Sequence, residues 1–443
     1  MSDAEALPKS FDHSEQAAPR PSLQELTAAS FKVGCLGFGG PAGQIALMHR
    51  IFVDEKKWIG EQQYLHALNY CMLLPGPEAQ HLATYVGWLL HGVRGGVIAG
   101  LLFVLPGALI VFALSLLYAF AHQEPLVAAA FFGIKAAVLA LVLEACVRIG
   151  KRALKSRAGY AIAVAAFLAL FMGHAPFPLV VLAGAIAGMI FMRGDTAPGV
   201  GAAIASKPDV KGAFASAAVW FAAWLAPLGL SIAVLGPQHV LTKVGQVFSI
   251  LAVVTFGGAY ATLAYLQQEA VQAQGWLSAG QMFDGLGLAE TTPGPLVLVN
   301  QFVGFMAGWN AEGGGVWLAA AAALMASWCT FAPSFAWIFV GAPFAETLRT
   351  NARATAALKG VTAAVLGVIV NLAIGFAVHY LFGETKRAAI GPYLSVLSPD
   401  WARLDIIAAA LSLATGVALV RFHTGILTLI FLSAAAGVAL GFL

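Results

Sequence analysis

The sequence predicts an all-α polytopic membrane protein: two inverted-topology repeats of about six helical segments each, with interrupted helices, joined by a central transmembrane helix. Three observations carry this expectation. The 443-residue chain is 60% hydrophobic and only 10% charged, with a mean hydropathy of +0.83, whereas a soluble domain carries about 25% charged residues. Its apolar runs have the ~20-residue length that crosses a hydrocarbon layer. Two short Gly/Pro stretches occur twice, as Phe38-Gly39-Gly40 with Pro75-Gly76-Pro77 and as Phe256-Gly257-Gly258 with Pro293-Gly294-Pro295. Laid on one another at a constant offset of 218, residues 38–77 and 256–295 match at 11 of 40 positions, Trp58/Trp276 and Gln63/Gln281 among them.

The polar opening, with Pro8 and Pro19, reads as a disordered cytoplasmic tail over 1–21 and has no secretory leader. Ser22-Leu23-Gln24-Glu25 has the form of a capping box and should start the first helix. That helix breaks at Gly37–Gly43 and continues to about Val53. Apolar segments follow at 64–92, 97–120, 127–149, 158–173 and 177–192, making a first repeat over 22–193. A Gly/Pro/Ala linker over 194–243 contains the lone apolar segment 213–235. The second repeat, 244–443, gives 247–268, 281–309, 316–341, 358–382, 404–420 and 424–443.

An odd central segment delivers the second repeat to the opposite face, so the two repeats should be inverted copies. Basic residues collect in cytoplasmic loops. With the N-terminus inside, the inner face receives Arg94, Arg148, Lys151, Arg152, Lys155, Arg157, Arg353 and Arg421, and the outer face Lys243, Lys386, Arg387 and Arg403. Arg50, Lys56 and Lys57 run against this bias unless the stretch 31–92 is re-entrant. In that case the exception disappears and the parity of the chain is kept.

Gly frees the backbone and Pro removes a donor, so both interrupt helices. At membrane depth such backbone is tolerated where protein buries it or where it lines a wet cavity. A helix restarting after Gly-Gly or Pro-Gly-Pro presents free N–H groups and a positive dipole end, which suits an anion. The alternative is plain kinking for helix packing. Lys135, in Gly133-Ile134-Lys135-Ala136, and Lys359, in Leu358-Lys359-Gly360-Val361, are candidate anion attractors, or cations that snorkel to the interface. Glu78, His81 and Glu290 flank the Pro-Gly-Pro turns and are candidate proton relays; Asn300 and Gln301 are neutral donors suited to an oxyanion. Glu144 and Arg148 have the i,i+4 spacing of a structural ion pair.

Other chemistries are disfavoured. Gly37-Phe38-Gly39-Gly40-Pro41-Ala42 fits a dinucleotide fingerprint in form but follows an apolar helix. No P-loop or H-E-x-x-H occurs, and Cys35, Cys71, Cys146 and Cys329 are scattered, so no cofactor, metal site or enzymatic activity is expected. A formal charge of +3 gives no argument for nucleic acid. Gly96/Gly100, Gly184/Gly188 and Gly437/Gly441 read as close helix contacts.

The run Phe31-Lys32-Val33-Gly34-Cys35-Leu36-Gly37-Phe38-Gly39-Gly40-Pro41, the turn Leu74-Pro75-Gly76-Pro77 with Gln80, Tyr85-Val86-Gly87-Trp88 and Gly133-Ile134-Lys135-Ala136 together resemble the chromate ion transporter family. The second half resembles the same unit through Thr255-Phe256-Gly257-Gly258-Ala259-Tyr260, Thr292-Pro293-Gly294-Pro295 and Phe302-Val303-Gly304-Phe305. The likeness spans residues 22–443, as in long, two-domain members. It implies a multi-pass protein of the bacterial inner membrane that exports chromate as a proton-coupled antiporter and confers chromate resistance. Sulfate, another tetrahedral dianion, is the implied competitor, and sulfate transport or an anion channel of the same fold are the alternatives. By motif, the implied substrate-binding residues are Gly39, Gly40, Pro75, Gly76, Pro77 and Lys135, with Gly257, Gly258, Pro293, Gly294, Pro295, Asn300 and Lys359. The oligomeric state is open, with a homodimer among the alternatives.

Overall fold

The computed structural model describes residues 20–173, 175–192, 210–256, 258–341, 351–383, 386–390 and 394–441. Gly257 and residues 1–19 of the expected tail lie outside them. Ser22 opens α1 (Leu23–Leu36) through the expected capping box, the Glu25 amide donating to Ser22 Oγ at 3.2 Å and the Ser22 amide to Glu25 Oε2 at 2.7 Å. The helix stops at Gly37. Gly39, at φ +87°, then starts α2 (Gly40–His49), whose first turn holds Pro41. A π-helical turn over Arg50–Glu55 brings Glu55 Oε2 to 4.0 Å from Lys32 Nζ on α1. The first predicted segment therefore folds back on α1 after its break and is not one crossing helix.

The same reversal recurs at once. Helix α3 (Glu61–Cys71) runs into Pro75-Gly76-Pro77, and α4 (Glu78–Ala121) leads away. At ~66 Å, the 44 residues of α4 exceed twice a ~30 Å hydrocarbon layer. It is in fact two limbs, broken at His91 and at Gly92 (φ +61°). The limbs are antiparallel, because Gly87 meets the backbone of Gly95 and Gly100 meets Thr84, contacts that a Cβ at either glycine would block.

The second half repeats these elements, and from α1 through α3 each boundary lies within two residues of its counterpart at the 218 offset. Helix α9 (Val240–Val254) breaks at Thr255–Gly258, and α10 (Ala259–Leu266) ends in another π-helical turn, Gln267–Ala273. Helix α11 (Ala279–Thr291), Pro293-Gly294-Pro295, a 3-10 turn over Leu296–Leu298 and α12 (Val299–Trp309) follow. Helices α12 and α13 (Val316–Gly341) pair antiparallel, with Gly304 against Ala322 and Ala326 and Gly308 against Ala319. The sequence reading started α9 at 247; the helix begins seven residues earlier because its weakly hydropathic first turns bury Thr242, Val244 and Gly245.

Among the described residues the remaining helices are α5 (Pro125–Ala153), α6 (Arg157–Phe171), α7 (Phe177–Phe191), α8 (Val210–Leu235), α14 (Ala352–Phe382), α15 (Ile406–Arg421) and α16 (Ile426–Gly441). They interleave the halves. Gly184 and Gly188 of α7 meet Gly360 of α14, Gly367 meets Ala163 of α6, and Ser433 and Gly437 of α16 close on Gly133 of α5. The glycine pairs expected to serve close packing do so. Helix α8 rests on α13, where Trp328 Nε1 donates to the Ala223 carbonyl at 3.0 Å. A small antiparallel hairpin, β1 (Lys386–Ile390) with β2 (Leu394–Ser398), was not anticipated. Its strands are short and carry no strict alternation to announce them.

Candidate functional site

The four predicted breaks meet. The Gly76 amide donates to the Thr255 carbonyl at 2.9 Å, and the Gly294 amide to the Gly37 carbonyl at 3.0 Å. Each Pro-Gly-Pro turn thus binds the helix break of the other half, and the two bonds are equivalent at the 218 offset. Proline has no N–H, so the central glycine is the donor of each turn. Its φ, +110° at Gly76 and +90° at Gly294, is a conformation that side-chain-bearing residues avoid. Gly107 on α4 completes the corner, its missing Cβ leaving room for the Pro293 carbonyl.

Around these corners the starts of four helical segments line one cavity: Pro41 of α2, Glu78 of α4, Ala259 of α10 and Leu296 leading into α12. The first N–H groups of a helix have no intrahelical acceptor, and each such end favours an anion by about 0.3–2 kcal/mol. Gln44 closes the wall. It is fully buried, its Nε2 donates to the Gly37 carbonyl at 3.1 Å and to the Gly294 carbonyl at 2.5 Å, and its Oε1 is without a partner. The cavity measures about 10 Å³, room for about one water and too little for a five-atom oxyanion.

Comparison with known proteins bears on what this corner serves. The family model described as "Chromate transporter" matches residues 24–189 and 242–438. The chain belongs to the chromate transporter family. It is 34% identical to the chromate transport protein of Pseudomonas aeruginosa over 369 residues, 82% of this chain and 83% of that protein. It is 28% identical to the chromate transport protein of Cupriavidus metallidurans, over 82% and 85% of the two chains. A shorter relative, the uncharacterized transporter YwrB of Bacillus subtilis, is 31% identical over 152 residues, 34% of this chain and 76% of its own. No solved structure matches.

The other expected site residues of this chromate transporter are distributed around the corner. Gly39, Gly40, Pro75, Gly76, Pro77, Gly258, Pro293, Gly294 and Pro295 form the breaks themselves. His81 is fully buried beside Gly76, with both ring nitrogens unpartnered. Asn300, also fully buried, donates to Thr330 Oγ1 at 3.0 Å and leaves its Oδ1 unpartnered. Gln80 reaches the Phe331 carbonyl at 3.3 Å. Glu290 accepts from the Tyr260 hydroxyl at 3.0 Å, one residue behind Ala259. Glu144 and Arg148 pair at 3.4 Å as their spacing predicts.

The two lysines are elsewhere. Lys135 does not line the cavity; its Nζ lies 3.2 Å from Asp284 Oδ1, and the Tyr118 hydroxyl donates to Asp284 Oδ2 at 2.8 Å. An anion attractor whose charge is already matched by a buried carboxylate is a poor attractor. Lys359 is exposed and likewise absent from the cavity wall. Sequence reasoning passed over Gln44 and Asp284. For Asp284 a signal existed, since a carboxylate within an apolar segment is by default paired or functional. For Gln44 none did, because its role depends on carbonyls that the breaks expose.

A second cavity, of about 250 Å³, lies beside the π-helical turn of the second half, lined by Gln267, Gln272, Asn371 and His379 between Phe283 and Phe376. Gln268 pins that turn to the start of α7, accepting from the Phe177 amide at 2.7 Å and donating to the Ala175 carbonyl at 3.0 Å.

Proposed function

We propose that this protein exports chromate from the cytoplasm across the bacterial inner membrane, driven by the proton-motive force and conferring chromate resistance, with the substrate held at the meeting of the four helix starts. The single observation carrying this is the reciprocal pairing of the corners, Gly76 with Thr255 and Gly294 with Gly37. It gathers four positive dipole ends at one point, where one end alone, at about 0.3–2 kcal/mol, is far too weak to hold a dianion against desolvation.

The two halves act as inverted copies. Gly96 meets Phe339 and Gly100 meets Phe335, so α13 runs antiparallel to the second limb of α4. With the first-half hairpins re-entrant, Arg50, Lys56 and Lys57 return to the face that carries Arg94, Lys151 and Arg152. The basic bias then supports a cytoplasmic N-terminus without exception in that loop. Alternating access is a rocking of one half on the other, which parts the corners on one side at a time.

Helix starts select an anion by charge and shape, which favours sulfate as a competing cargo. Everted vesicles, energised and given labelled chromate or sulfate, are expected to accumulate chromate and to lose it on addition of a protonophore. Accumulation of sulfate alone would reassign the cargo, and currents that follow only the applied voltage would make the protein a channel.

A further inference from the structure

The central cavity contains one side chain that an anion site does not by itself call for. Glu78 lines it, where the matched position in the second half is Leu296. Pro41, Gln44 and Ala259 bring no charge to the same wall. The titratable groups bearing on Glu78 are Cys71 at the end of α3 and Arg152 on α5, the cation whose field reaches it, and His81 follows three residues later on the same helix. The segments starting at Ala259 and Leu296 face it with apolar residues.

A carboxylate and a doubly charged oxyanion repel within one small, poorly hydrated volume. A protonated carboxyl there has the opposite effect, because it offers an O–H to the anion's oxygens. We propose that a proton enters this site together with the oxyanion, carried on Glu78, so that the protein is a proton–oxyanion co-transporter and not an exchanger of one for the other. This rests on the reading of the central cavity as the anion site. By reciprocity, bound anion tightens the hold on the proton as much as the proton tightens the hold on the anion. A dianion leaving with one proton carries one net negative charge outward. The inside-negative potential therefore drives export, and an acidic exterior opposes it.

The test uses the full chain in liposomes containing a pH-sensitive dye, with the voltage clamped and an inward gradient of labelled sulfate, which keeps its charge between about pH 6 and pH 8. Chromate runs in parallel. The lumen is expected to acidify as the anion enters, and apparent affinity to rise toward about tenfold for each pH unit of acidification. Glu78→Gln is expected to bind with an affinity that does not change with pH and to carry no protons. Alkalinisation, or anion movement without any pH change, in the wild type overturns the proposal. So does a Glu78→Gln protein that still moves protons with the anion. If that variant does not fold, the wild-type dye signal decides alone. Liposomes that move neither anion would sink the transport reading itself, whereas movement with the wrong proton sign sinks only co-transport.

Discussion

In the first half the corner carries Gln44, Glu78, Gln80 and His81; at the matched positions the second half has Thr262, Leu296, Leu298 and Val299. The reverse holds a few residues away, where Ala42, Met72, Leu82 and Ala83 face the counterparts Tyr260, Glu290, Asn300 and Gln301. The two corners share the positive φ of Gly76 and Gly294, that of Gly40 and Gly258, and the π-helical turns. Their polar groups are divided between them. What the duplication supplies in both halves is the set of helix starts, and what each half adds singly is its own set of buried polar side chains.

The sharpest way to break this comparison is at the charge that belongs to the second half alone. Asp284→Ala strands the Lys135 ammonium and is expected to cost about 3–5 kcal/mol, read as lost thermal stability in detergent. The double variant Asp284→Asn/Lys135→Met should recover most of it. Loss of chromate affinity with unchanged stability would instead return Lys135 to the site. Next come the shared corners. Gly76→Ala and Gly294→Ala each force a side-chain-bearing residue into a positive-φ turn, at about 1–3 kcal/mol, and both should reduce vesicle transport. Tolerance of one but not the other would show that the two corners are not equivalent.

Third, Gln44→Leu leaves the Gly37 and Gly294 carbonyls without their shared amide, for about 1–3 kcal/mol, whereas Thr262→Val should cost no more than about 1.5 kcal/mol. The smallest effect lies at the outer end of α2. His49 Nε2 is 2.6 Å from Glu61 and Nδ1 is 3.3 Å from Asp54. The Glu61 hydrogen bond, more than Asp54, holds the imidazole above its ordinary range. Its stabilisation is complete below the ordinary histidine value and disappears as pH rises through the raised one. Gln267, the matched residue, cannot titrate. His49→Gln should therefore lower the melting temperature more at pH 5.5 than at pH 8.5, by an amount matching an exposed pair of about 0.2–1 kcal/mol.

Much of the fold was legible because Gly and Pro act locally. The capping box at Ser22, the breaks at Gly39 and Gly258 and the two Pro-Gly-Pro turns follow from the residues themselves. That the segment through Gly37–Gly43 turns back rather than crosses was only an alternative in the sequence, since hydropathy counts length and not direction. The roles of Gln44 and Asp284 became visible only with their partners, 250 and 149 residues away in the chain at Gly294 and Lys135, although Asp284 as a carboxylate in an apolar segment was itself a signal. A polar residue in an apolar helix announces that it needs a partner but not where the partner is. Lys135 shows the same limit from the other side: its cost in an apolar segment was evident, and the carboxylate that offsets it was not.

The interleaving of α6 and α7 with α14, and of α16 with α5, bears on how the chain is made. When the first half leaves the ribosome, the flank of α5 that receives Ser433 and Gly437 is still uncovered, as is the face of α7 that receives Gly360. Lipid must cover these surfaces until α14 and α16 are made, so the sixteen residues of α16 act as a latch on α5 rather than as an appendage. Truncation before Ile426 would open the molecule at α5, far along the chain from the cut.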